Sequence, residues 1–300
     1  MRSAMSILLT LVVVACTTSR VDSQPEPRSV RVITADVERF YDLWDRTEGR
    51  PSAAQIQKEY IDPGSAGLQG FIPARIVSSE ALAKHIAENP GLYEKARSCI
   101  DLLPDLRRDI DADAARFREI YPEMSEADVT FVIGRGNSAG TVSDAGVIIG
   151  LDRACGVAPL GFESIHDRLR HVIAHELVHT QQTEFEQNSL LAYSLNEGIA
   201  DFVGELISGS TSNPHLVEWT RGREEIFERR FREAMLAEDV ELRDWLYGGV
   251  GTAEEPGDLG YWVGYRIARA FYDAASDKSE AIRVLLASGD ADRILRESAW

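Results

Sequence analysis

His171-Val-Ile-Ala-His175-Glu176-Leu-Val-His179-Thr180 is the stretch from which the rest of the chain is read. His175 and His179 stand four apart, so on an α-helix they are neighbours on one face and both imidazoles can reach a single metal ion. Glu176 follows the first histidine, turned about a hundred degrees round the helix. From there it can take a proton from an attacking water without itself ligating. This is the H-E-x-x-H spacing of zinc sites. His171 lies one turn upstream on nearly the same stripe, but Val172 after it cannot act as a base, so His171 is expected to be supporting or structural. The periodicity predicts a helix from about Ser164 to Gln182, with Leu169, Val172, Ile173 and Leu177 on the core.

Two histidines need a third protein ligand that leaves a position open for water. The metzincin continuation would require Gly at 182 and His at 185, where this chain has Gln182 and Phe185. The next helical pattern offers Asn196-Glu197-Gly198-Ile199-Ala200-Asp201-Phe202. Glu197 is the expected third ligand, with Glu205, further along the stripe, as the fallback. Asp201, one turn after Glu197, is suited to accept the outer N–H of a ligand histidine. Gly198 and Ala200 would let this helix pack closely on the preceding one. Glu184 and Glu186 lie too close to His179, and His166 is expected at the surface.

Upstream, Val30–Ile33 and Val129–Ile133 read as strands, and Gly134–Gly140 as a loop that lacks the Gly-Lys-Ser/Thr of a phosphate loop. Thr141–Ser143 and Gly146–Leu151 are further strand, and Asp152–Phe162 reads as a loop. An unpaired strand edge before the metal helix could hold an extended peptide by backbone hydrogen bonds, with Gly140 and Thr141 contacting substrate. Asp36 is a candidate N-cap for a helix carrying Val37, Phe40, Tyr41 and Trp44; further helices are expected over Ala53–Tyr60, Ser79–Ala87 and Asp105–Tyr121. Downstream, Thr220–Leu236 and Val240–Tyr247 read as helices and Gly248–Gly257 as a loop. Gly260 and Gly264 form a small-residue stripe beside Tyr261 and Tyr265. Ala281–Leu286 and Ala291–Leu295 close the chain.

Three hundred residues with 44% hydrophobic content suffice for one substantial core or two lobes sharing a cleft. The 49 acidic against 32 basic side chains, a net −17, argue against nucleic acid as a partner. Met1-Arg2 and the apolar run Ile7–Ala15 form a signal segment too short to span a bilayer. Val13-Val14-Ala15-Cys16 resembles a bacterial lipobox, which implies cleavage before Cys16 and lipidation of that cysteine. Residues 16–28 then read as a flexible tether, and 29–300 as the folded domain, with lobes of about 29–183 and 184–300. Without Cys16, Cys99 and Cys155 remain, an even pair in an oxidising compartment that can bridge or stay as two buried thiols.

His175-Glu176-x-x-His179 followed by Glu197-x-x-x-Asp201 resembles the gluzincin clan, the thermolysin-like zinc peptidases. The blocks VIGRGNSAGT, HELVHTQQ, NEGIADF and GYWVGYRIA are similar to those of a bacterial family described as predicted zinc-dependent proteases, over roughly residues 30 to 275. The expectation is an α+β, zincin-like fold: a small sheet with helices, the metal helix, then a mainly helical C-terminal lobe. The expected activity is zinc-dependent peptide hydrolysis, with Zn²⁺ on His175, His179 and Glu197 and with Glu176 as general base. Tyr265, Tyr261 or His215 could stabilise the oxyanion, Tyr265 being the first choice. A hydrolase of a non-peptide amide such as cell-wall material, and a lipoprotein scaffold with structural zinc, are the alternatives. The expected location is the bacterial envelope, lipid-anchored in the membrane, facing the periplasm from the outer membrane if the host is Gram-negative.

Overall fold

A mixed sheet of short strands, β1 (Val32–Ile33), β2 (Val129–Val132), β3 (Gly140–Ser143) and β4 (Gly146–Gly150), runs in the order β1-β2-β4-β3. The computed structural model describes residues 30–158, 160–236, 241–248, 251–252 and 257–300. The signal segment, Cys16 and the tether lie outside the described residues, as does most of the Gly248–Gly257 loop. β2 pairs in parallel with β1 and β4 and is buried along its whole length, as its continuous Val-Thr-Phe-Val run requires. β3 pairs antiparallel with β4 and forms a sheet edge.

Before β2 come α1 (Ala35–Arg46), α2 (Ala53–Ile56), α3 (Ala66–Phe71), α4 (Ser79–Glu88), α5 (Pro90–Arg97) and α6 (Leu103–Ile120). After β4 come α7 (Leu151–Gly156), α8 (Ile165–His179) and α9 (Leu190–Ser208). The chain ends with α10 (Pro214–Thr220), α11 (Glu224–Ala234), α12 (Leu259–Ala274), α13 (Lys278–Ala287) and α14 (Ala291–Glu297). The fold is α+β, a small sheet in a mostly helical chain. Among the described residues no helix is long and apolar enough to cross a membrane.

α9 is apolar on nearly every face and is correspondingly buried on nearly every face, between α8 and α12. Ser189 caps its start by accepting the Ala192 N–H, and Gly209 ends it in the left-handed conformation, φ +72°. Its small residues work differently from the expectation. Gly198 faces α12, where an added Cβ would stand 2.0 Å from the Gly264 carbonyl carbon. It is Gly204 that faces α8, with the space of a Cβ 3.3 Å from the His175 nitrogen.

Several local readings are corrected. Asp36 is not a cap but a buried residue in the first turn of α1, where it accepts from Arg39 and from the backbone N–H and hydroxyl of Ser65. It stitches α1 to the start of α3. Asp152–Phe162 is not all loop, because α7 forms over its first part. Asp152 there accepts the Gly134 and Gly136 N–H groups and pins the loop that follows β2. Thr220–Leu236 is not one helix; Gly222, at φ +74°, breaks the chain between α10 and α11. Of Val240–Tyr247, Val240 lies outside the described residues, and Leu242–Asp244 makes a single 3₁₀ turn. Cys99 and Cys155 are joined by a disulfide, which ties the end of the α5 segment to α7.

Candidate metal centre and its cavity

α8 starts where Ser164 accepts the Asp167 N–H, and Leu169, Ile173, Leu177 and Val178 then anchor it in the core. That anchoring leaves the His175–His179 face pointing toward α9. His175 Nε2 and His179 Nε2 are 2.9 Å apart, and Glu197 Oε2 lies 3.3 Å and 3.4 Å from them. Glu205, the fallback ligand, is elsewhere: it accepts from the Tyr265 hydroxyl and the Ser212 N–H.

The outer ring nitrogens fix what the inner ones offer. Gln182 Nε2 donates to the Asn196 carbonyl at 2.8 Å, a group that can only accept. Its Oε1 therefore faces His179 Nδ1, at 2.6 Å, and that nitrogen carries the proton. Asp201 Oδ1, 2.8 Å from His175 Nδ1, imposes the same tautomer there. When neutral, imidazoles so held direct two Nε2 lone pairs and the Glu197 carboxylate at one point. Donors on a tetrahedral zinc with bonds of about 2.0–2.1 Å stand about 3.3 Å apart. Two imidazoles and a carboxylate at these separations fit that ion.

A second grouping, His171 with His175 and Asp201, is also close enough to be considered. Its short contact is the Asp201–His175 hydrogen bond, and His171 Nε2 is 3.4 Å from the same oxygen. Asn213 donates to the other Asp201 oxygen. The group is therefore read as the hydrogen-bonded support of His175. Asp201→Asn should lower zinc affinity by about 10–100-fold, measured by chelator competition; unchanged affinity would remove Asp201 from this role.

Burial disfavours a charged His175, yet the Asp201 and Glu197 carboxylates outweigh it and hold the imidazolium well above its ordinary range. Burial raises Glu197 and Asp201, and the histidines beside them overcome this and keep both below the usual carboxylate range. A proton and a metal ion compete for the His175 lone pair. Because its folded pKa is raised, that imidazolium stabilises the metal-free fold below about pH 6.5, and the contribution is lost as pH rises through the raised value. Zinc affinity should thus fall as pH drops, by about tenfold per pH unit for each proton displaced. Affinity independent of pH between about 8 and 6 would contradict this.

The site opens into a cavity of about 780 Å³. Gly140 and Thr141 of the β3 edge form one wall, Glu176 and His179 another, and Tyr247 and Tyr261 a third. Glu176 is 8% exposed, and burial raises its pKa. It packs so tightly on Gly140 that an added Cβ would stand 2.6 Å from its carboxylate oxygen. The Tyr261 ring stacks on His175 at 6.2 Å, and the Tyr247 hydroxyl donates to Glu197 Oε1 at 3.0 Å. Tyr265, the first choice as oxyanion donor, is spent on Glu205 and lines a different cavity; burial beside Glu205 pushes it up to about 12. His215 lines the metal cavity, with its Nδ1 buried and unpartnered.

Residues 158–290 match a zinc-protease family model. That family is described as "Predicted Zn-dependent protease (DUF2268)". The matched segment carries His175, Glu176, His179, Glu197 and Asp201, while the sheet and α1–α7 precede it. No curated protein matches the chain. The donor geometry, on α8 and α9, lies within the matched residues. Sequence reasoning missed Gln182 as a partner of His179, although its position three residues on is a local signal. It also missed Asn213 and Tyr247, which reach the site from distant segments and carry none.

Proposed function

We propose that the chain is a zinc metallopeptidase, with His175, His179 and Glu197 as the metal ligands in a zincin-like arrangement. The observation that carries this is the pair of Nε2 lone pairs converging with Glu197 beside a buried glutamate, at the wall of an open cavity. Zinc held there would supply Lewis acidity, polarising a carbonyl and lowering the pKa of a water toward about 7. Glu176 takes a proton from the attacking water and returns it to the leaving amine, a role that its raised pKa suits. An extended peptide lies along the β3 edge, its backbone pairing past Gly140 and Thr141, which sets a carbonyl against Glu176. Tyr261, whose pKa burial and Glu197 push up, stays protonated and can donate to the developing oxyanion, while Tyr247 holds Glu197. Asp201 and Gln182 orient the two imidazoles.

Digestion of an unstructured polypeptide library by the zinc-replete chain tests this. Cleavage should vanish on chelation and return with zinc. Stoichiometric zinc with no cleavage of any peptide would favour the structural-zinc reading, and cleavage of cell-wall amides alone would favour the other alternative. Attachment to the bacterial envelope through Cys16 is part of the proposal, and Cys16→Ser should then release the chain from membranes.

A further inference from the structure

Arg168 sits in the first turn of α8 and is 5% exposed, yet it lines the metal cavity. It donates to the Ala154 carbonyl, and no carboxylate pairs with it among the described residues. Nothing local explains a charge there. A buried cation without a counter-ion is costly, and the positive end of the helix dipole adds to the cost. Its charged neighbours make matters worse: burial first, and Arg153 second, pull its pKa down to about 10. Arg153 lines the same cavity and likewise has no carboxylate partner among the described residues. In a chain of net charge −17 these two guanidiniums put positive charge on one wall of the cavity.

We propose that Arg168, with Arg153, forms a carboxylate-binding subsite at one end of the cavity, so that the substrate carries an acidic side chain or a free C-terminal carboxylate. Arg168 and His175 are seven residues apart on one helix face, a separation of about 10 Å along the axis. An extended chain covers that distance in about three residues at roughly 3.3 Å each. The bound carboxylate therefore sits about three residues from the bond over the metal. The guanidinium fork suits a carboxylate held by two parallel hydrogen bonds. The assignment rests on the peptidase reading of the same cavity and deepens it.

The test uses the full, zinc-loaded chain carrying Glu176→Gln as a non-cleaving trap. Degenerate peptide libraries are offered in two forms, free acid and C-terminal amide, and the bound fraction is sequenced by mass spectrometry. The expected result is enrichment of about tenfold or more for peptides bearing the carboxylate. Enrichment of Asp and Glu over Asn and Gln in the amide library identifies a side chain; enrichment confined to the free-acid library identifies the C-terminus. Arg168→Met should abolish the selection and Arg168→Lys restore part of it. Zinc stoichiometry reports whether these variants fold, and Arg153→Met, at a half-buried site, should weaken the same selection if Arg168→Met does not fold. Peptides bound without preference for a carboxylate, or a preference untouched by both Met variants, would overturn the subsite. Selection that depends on Arg168, in a chain whose wild type cleaves nothing, would keep the subsite and sink the peptidase reading.

Discussion

Glu176→Gln should leave zinc binding intact and reduce peptide hydrolysis by about 10²–10⁴-fold, the range that a positioned general acid–base contributes. The substitution is isosteric, so the amide can occupy the space against Gly140 that the carboxylate fills. Zinc should stay because the proposed donors are His175, His179 and Glu197, at 2.9–3.4 Å from one another, and Glu176 is not among them. What would be lost is the group proposed to accept and return a proton. Metal content by elemental analysis, together with the rate of library digestion, measures both halves. Hydrolysis within a few-fold of wild type would remove Glu176 from the chemistry. Loss of zinc would instead make it a ligand or a folding residue.

Gly264→Ala should be strongly destabilising. Its Cβ would stand 1.8 Å from the Ser194 carbonyl oxygen and 2.5 Å from the Ser194 carbonyl carbon. Both are backbone atoms of α9, so no side-chain rotation relieves the clash and the two helices must part. Overpacking costs about 1–3 kcal/mol, and a clash on rigid backbone belongs at or above the top of that range. At roughly 2–4 °C per kcal/mol the melting temperature should fall by about 6–12 °C. Because α9 carries Glu197 and α12 carries Tyr261, zinc affinity should fall with it. Gly91→Ala is the control: nothing stands within 4 Å of its Cβ, so denaturant unfolding should be almost unchanged. A Gly264→Ala chain as stable as wild type would show that α9 and α12 do not pack this closely.

What could be read locally was read well. α8 follows from its apolar stripe and Ser164, and the approach of His175 to His179 follows from helix periodicity, while the packing of α9 on α8 brings Glu197 to them. α6 likewise follows from a stripe that one element carries within itself. The failures have a common cause. Asp36 looked like a cap because its partner, Ser65, is twenty-nine residues away and invisible to a local pattern. Asp152 looked like loop because its partners Gly134 and Gly136 belong to another segment. Gly198 was matched to the helix before it, although the close approach is to α12, which comes much later in the chain.

By itself the sequence placed His175 and His179 on one face of a helix with Glu176 between them, because a four-residue spacing is a property of one helix. Only the tertiary structure decided what surrounds the site. It set Tyr247 rather than Tyr265 at this cavity, Gln182 and Asp201 behind the two imidazoles, and Arg168 in the cavity wall with a backbone carbonyl but no carboxylate beside it. The physical reason is that tautomer, burial and missing counter-ions are relations between distant segments, which exist only once α8, α9 and α12 have packed.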